Sequence, residues 1–273
     1  GNIADLATPI IAANLSLTVS TNGKSIGSAA NNIDATATGA LSAFAAAGDI
    51  FVSETDVIAV GTINAGSGLV RLTTPAGIDE SADDDNVNIT TTGTLELNAR
   101  NAIGAAGGTE PLDLQVGTLG AHVTTNPGGI YVKNTGTVTV ADVDTTSGDI
   151  DIQSSGSIVA TAIDANTLGN VSLTATNGNI TLTHVTAAGG GTLTITASNA
   201  SLLNSASDLV AGNAILTANG LNASIGASCA STDINLTLSG TLTASAPNGT
   251  TSGIYLTETN DMSVASLNAG AGV

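Results

Sequence analysis

The side chains able to do chemistry are few, and most are carboxylates. In GDIDIQ, Asp149 and Asp151 alternate onto one outward strand face, with Asp142 and Asp144 shortly before them. Carboxylates in pairs serve general acid/base cleavage of polysaccharides, and lyases add Arg or Lys from neighbouring turns to stabilise anionic character. Here Lys133 is the only base nearby, and no aromatic cluster offers a sugar platform. The reading is a pair of solvated carboxylates, with no catalytic residue assigned. The densest acidic stretch, Gly77–Asp85, holds Asp79, Glu80, Asp83, Asp84 and Asp85. Hard cations accept such oxygen ligands. Neither the EF-hand spacing nor the G-G-x-G-x-D nonapeptide of calcium-loaded β-rolls is present. Asp83, Asp84, Asp85, Asp149 and Asp151 are therefore weak candidates for Ca2+, and no other cofactor is expected. His122 and His184 have no Cys or carboxylate at metal-ligand spacing along the chain. Cys229 is alone, so no intramolecular disulfide can form.

The elements that must position these groups are short. Only 10% of the 273 residues are charged and 1% aromatic, while 42% are hydrophobic. Thr and Val suit strands, Gly and Asn suit tight corners, and the chain is too apolar to be disordered. The formal net charge is −18, with Lys24, Arg71, Arg100 and Lys133 as the only bases. Such a surface repels phosphate backbones and anionic membranes, which excludes nucleic acid as a partner. No run of 18 apolar residues is present, so no membrane insertion is expected.

One stretch occurs three times: GDIFVSETDVIAVGTINAGSG at 48–68, GGIYVKNTGTVTVADVDTTSG at 128–148 and SGIYLTETNDMSVASLNAGAG at 252–272. Ile50, Ile130 and Ile254 coincide, as do Phe51, Tyr131 and Tyr255. A shorter period runs through Ile130, Ile150, Val171, Leu193, Ile215, Ile234 and Ile254, at 19 to 22 residues. Extended backward, it places strand starts near Ile50, Val70, Val87 and Leu112. A period near 20 residues holding two or three short alternating strands is one rung of a parallel β-helix. Each strand pairs with its counterpart in the next rung at roughly 4.8 Å. The expected fold is all-β, a right-handed parallel β-helix of about a dozen rungs, running through 1–273 as a single continuous solenoid. Neither end carries a polar cap, and the expectation is a segment cut from a longer repeat chain.

Alternation turns Phe51, Tyr131 and Tyr255 outward, and exposed aromatics suit partner contacts, so these three are weak candidates for a contact surface. The outward rank through that position reads Phe51, Arg71, Asn88, Asp113, Tyr131, Asp151, Ser172, Thr194, Asn235 and Tyr255. It is too irregular for the flat Thr face of an ice-binding solenoid.

The NARNAIG phrase ending at Gly104, the NASIG phrase ending at Gly226, the G-x-I-x-V rungs and LTATNGNITLT at 173–183 resemble filamentous haemagglutinin. More broadly they resemble bacterial exoproteins of the two-partner secretion and giant β-strand-repeat adhesin groups. The resemblance implies right-handed β-helical fibres on or outside the bacterial cell, adhering to hosts, neighbouring cells or extracellular matrix, with no catalytic residues to transfer. The expected function is a non-catalytic structural and adhesive fibre, an extracellular stalk partnered by other copies or continuing rungs of its own chain. A sheath or matrix filament of stacked subunits is the alternative, followed by a β-helix polysaccharide-active enzyme or an ice-binding solenoid.

Overall fold

The computed structural model describes residues 1–5, 8–82, 84–105, 111–125, 127–227, 232–261 and 263–271. Asp83, Met262 and Cys229 lie outside the described residues. The chain is all-β, a parallel β-solenoid of about 11 turns with rungs about 22 residues apart, and no described residue is helical. Two compact units, Gly1–Thr135 and Gly136–Val273, are each built this way.

In the first unit the strands are β1 (Ile10–Ala12), β2 (Leu15–Val19), β3 (Ile33–Ala37), β4 (Ala40–Ala45), β5 (Ile50–Glu54), β6 (Ile58–Gly66), β7 (Val70–Thr74), β8 (Ile78–Glu80), β9 (Ile89–Ala99), β10 (Leu112–Val123) and β11 (Ile130–Asn134). One wall stacks Ile50 on Val70, Val70 on Leu95 and Leu95 on Leu119, all parallel. A second stacks Ile63 on Ile89 and Ile89 on Leu114. Every one of these residues is fully buried. Alternation puts β-branched and aliphatic side chains inside on successive rungs, and each such burial contributes roughly 1.5–3 kcal/mol.

The second unit comprises β12 (Val138–Thr145), β13 (Ile150–Ser154), β14 (Ile158–Ala165), β15 (Val171–Ala175), β16 (Ile180–Ala197), β17 (Leu202–Ala218), β18 (Ile234–Leu238), β19 (Thr241–Ser245), β20 (Leu256–Glu258) and β21 (Ser263–Asn268). Its walls run Ile150, Val171, Leu193, Ala214, Leu242 and Val138, Ile158, Ile180, Leu202.

Two strand starts need correction. The period places rungs at Val87 and Leu112, whereas Leu95 stacks on Val70 and Leu119 on Leu95. The acidic loop after β8 and an excursion after Gly104 lengthen these turns to 25 and 24 residues, which a period near 20 cannot follow. In the second unit Ala214, not Ile215, takes the inward place above Leu193. Ile215 faces out and is 41% exposed.

The corners explain the abundance of Asn, Asp, Ser and Thr. Asn2 Oδ1 accepts the Ser25 N–H, Ser25 Oγ that of Asp49, and Asp49 Oδ1 that of Leu69, at 2.9–3.1 Å. In the second unit Asn179 Oδ1, Ser201 Oγ and Ser224 Oγ form the same kind of ladder onto Ser201, Ser224 and Gly253. A corner leaves main-chain N–H groups outside the strand ladders, and short polar side chains one rung below satisfy them.

Candidate functional site

The carboxylate pair is held within the second unit. Asp149 Oδ1 accepts the Asn170 main-chain N–H at 2.8 Å and its side-chain amide at 3.0 Å, and Asn170 Oδ1 in turn accepts the Thr192 N–H. Asp149 is thus a member of a corner ladder. Asp151 stacks on Ser172, and its Oδ2 accepts from Gln153 at 3.2 Å. Lys133, the base considered for this pair, is committed elsewhere.

In the first unit Lys133 Nζ lies 2.7 Å from Asp85 and 3.6 Å from Asp113, its neighbour in register on β10. Asp85 is almost fully exposed, whereas Asp113 is buried, and its N–H donates to Asn88 Oδ1. Burial pushes the Asp113 carboxyl up, and the Lys133 charge pulls it back. The hydrogen bond from Lys133 holds Asp85 below its ordinary value, and that same bond raises Lys133. The ammonium therefore sits where a cation between Asp85 and Asp113 would sit, and it ties the acidic loop to the solenoid wall. Asp84 turns its Oδ1 to the Asn86 N–H.

His184 is less isolated than its place along the chain suggests. Its Nε2 lies 3.0 Å from Asp164 Oδ1 and 3.1 Å from Thr186, and its Nδ1 lies 3.7 Å from Asp208. Asp164 and Asp208 stand one rung before and one rung after it. Gly136–Val273 contains no Lys or Arg, so His184 is the one basic side chain in that unit. Metal-ligand spacings counted within a few residues miss this cluster. Outward positions compared at one rung's distance find it. His122 is half-buried on β10, in register with Asn98.

The three aromatics have a shared cause. Ile26 pairs with Ile50, Ile103 with Ile130 and Ile225 with Ile254. The next pairings are Ile33 with Val52, Leu112 with Val132 and Ile234 with Leu256. Two residues on the upper rung therefore match seven or nine on the lower, and in the first case, where every residue is described, residues 27–32 leave the strand ladder as an excursion. Each excursion starts at an Ile-Gly step, with Gly27, Gly104 and Gly226 at φ +69°, +67° and +71°. A Cβ there would lie 2.6, 2.1 and 2.4 Å from the carbonyl oxygens of Phe51, Tyr131 and Tyr255. The 21-residue repeat is thus the rung that closes over an excursion.

Its Glu/Asn-Thr step completes the closure. Glu54 Oε1, Asn134 Oδ1 and Glu258 Oε1 accept the N–H groups of Ala37, Val116 and Leu238, the fifth residue of each lower strand, at 2.9–3.0 Å. Thr55 and Thr259 add hydroxyl contacts to Thr36 and Thr237.

As a contact surface the aromatics offer less than expected. Phe51 is 5% exposed, because the Arg71 guanidinium lies 5.3 Å over its ring and is held there by Glu96 at 2.6 Å. Tyr131 and Tyr255 are half-buried, folded back over Gly129 and Gly253. The outward rank also differs from the expected one, since Arg71 is followed by Glu96 rather than Asn88, and both Asn88 and Asp113 are buried.

A more regular rank lies beside it in the second unit: Gln153, Thr174, Thr196, Thr217 and Ser245 stack in register. The parallel rank, Asp151, Ser172, Thr194, Ile215 and Thr243, is interrupted by Ile215.

No family model matches the chain, and neither does any curated protein or solved structure. The likeness to filamentous haemagglutinin therefore rests on the repeat phrases alone, which the Ile-Gly excursions and corner ladders account for structurally.

Proposed function

We propose that this chain is a passive extracellular stalk of a bacterial surface fibre, non-catalytic, holding an adhesive surface away from the cell. One observation carries the reading: the side chains that could do chemistry are bonded into the scaffold itself. Asp149 serves a corner, Lys133 pins a loop, and Glu54, Asn134 and Glu258 close the excursions. Parallel ladders of main-chain hydrogen bonds run from rung to rung, the arrangement that resists extension in stacked β-structure. The acidic exterior supports solubility outside the cell.

The test is to coat beads with the chain and measure retention on bacterial, host-cell and matrix-coated surfaces, alongside single-molecule extension. A stalk unfolds in discrete steps at high force and shows no turnover. Hydrolysis or elimination on an acidic polysaccharide, abolished by Asp149→Ala or Asp151→Ala, would overturn the reading.

A second reading draws on the rank Thr174, Thr196, Thr217 and Ser245, a file of hydroxyls stacked in register on successive parallel strands. Ordered water is the surface that such a file suits. Thermal hysteresis that vanishes in Thr196→Lys would move the assignment to ice binding.

A further inference from the structure

Among the three excursion closures, the first differs in one respect. All three need an oxygen that accepts an N–H from the rung below, and Asn134 supplies it with a neutral amide. Glu258 supplies it with Asn260 two residues on. At the first closure a carboxyl does the work, and the residue two positions on is Asp56, a second carboxyl.

Glu54 is 1% exposed. Its Oε1 accepts two N–H groups, from Ala37 at 3.0 Å and Thr55 at 3.2 Å. Its Oε2 is buried and has no hydrogen-bond partner. The packed elements offer no countercharge: β3 places Ala35 beside it, and β7 places Thr74, whose hydroxyl is given to the Asp56 carbonyl. The groups acting on Glu54 are the two amides and Asp56, and no cation is among them. A buried, unpaired carboxylate oxygen next to a second carboxylate is costly, and two like charges at one site do not both ionise readily.

We propose that Glu54 and Asp56 form a proton-binding site that latches the first excursion closure. One proton, taken from solvent, resides on Glu54 Oε2 and is donated to the Asp56 carboxylate, while Oε1 keeps both main-chain N–H groups. Loss of that proton at rising pH leaves a negative charge on the buried Glu54 beside the exposed Asp56 carboxylate and loosens the contact between β5 and β3. Burial and the nearby Asp56 charge act in the required direction, raising the Glu54 carboxyl, against the two amides that lower it. With the folded value raised, the stabilisation is complete below the unfolded value of about 4.3 and is lost as pH climbs through the folded value.

The experiment uses the whole chain. Denaturant unfolding is followed from pH 4.5 to 8.5 for wild type, Glu54→Gln and Asp56→Asn. In parallel, amide exchange at Ala37 and Thr55 is recorded, corrected for intrinsic rates. Gln at 54 keeps the accepting oxygen and adds an NH2 donor toward Asp56, imitating the protonated acid. Wild-type protection at the two amides should fall up to tenfold per pH unit while the proton is lost. Protection in Glu54→Gln should stay flat, and this variant should exceed wild type in stability at pH 8 but not at pH 4.5. Parallel pH profiles for wild type and Glu54→Gln overturn the proposal. The Glu54 carboxyl 13C shift decides independently should a variant fold poorly: a midpoint near 4.3 overturns the latch, and a higher one supports it.

Discussion

Gly23 and Gly104 share a backbone conformation but not a neighbourhood, and that pair permits a controlled perturbation. Both have φ +67°. A Cβ on Gly23 would meet nothing within 4 Å, whereas a Cβ on Gly104 would lie 2.1 Å from the Tyr131 carbonyl oxygen and 3.0 Å from the Leu112 nitrogen. Ala in the left-handed region costs about 1–2 kcal/mol, offset by about 0.4–1 kcal/mol from the stiffer unfolded chain. Gly23→Ala should therefore lose about 1 kcal/mol. Gly104→Ala bears the same cost and must also displace the backbone of the next rung, because a carbonyl oxygen cannot rotate away as a side chain can. The bonds at risk are Gly104 N–H to Ile78, Tyr131 N–H to Ile103 and Ile103 N–H to Gly129, each 2.8–2.9 Å. At about 0.5–1.5 kcal/mol apiece they bring the expected loss to about 3–5 kcal/mol. Denaturant unfolding measures both variants, and amide exchange at Ile103 and Tyr131 localises the damage. Equal losses for the two would refute the claim that the Ile-Gly step is there for close approach of the next rung.

Other consequences follow from the same contacts. Lys133→Met should destabilise the first unit by about 1–3 kcal/mol at neutral pH, since it strands the buried Asp113, and Asp113→Asn should restore most of it. The Lys133→Met effect should shrink as pH falls from 7 towards 4, because the raised Asp113 carboxyl takes up a proton more readily than a free one and the stranded charge is then lost. Asn170→Ala removes the acceptor for Thr192 and the donor to Asp149, so a loss of about 1–2 kcal/mol is expected in thermal unfolding. Leu173→Ala, in the packed core, should cost about 2–5 kcal/mol, and Leu168→Ala, 68% exposed, under 0.5 kcal/mol.

Much of the fold was legible because two signals agree. Alternation as in Ile150, Ile152 and Val171, Leu173 marks half-buried strands, and a recurrence near 20 residues marks stacked rungs. Stacking partners were less legible. Pairing Val70 with Leu95 requires knowing that the acidic loop and the residues around Gly93 belong to one lengthened turn. A period alone treats the added residues as a slip of register, and so it chose Val87. The Ile215 error has the opposite scale: a single-residue shift, in which a small Ala took the inward place and left the larger side chain outside.

The chemistry was legible only in part, for a reason built into solenoids. Residues adjacent in space are separated by a full rung, so His184 meets Asp164 from 20 residues away and Glu54 meets the Ala37 N–H from 17. Local motif spacing, which finds sites on helices and tight loops, is blind to this. The useful comparison is between copies of the repeat. Glu54, Asn134 and Glu258 align without a gap, and their mixture of acid and amide already says that the position needs an accepting oxygen more than a charge. Where an amide suffices, an acid beside another acid carries a surplus ionisable proton, and the first closure is the place where that surplus is buried.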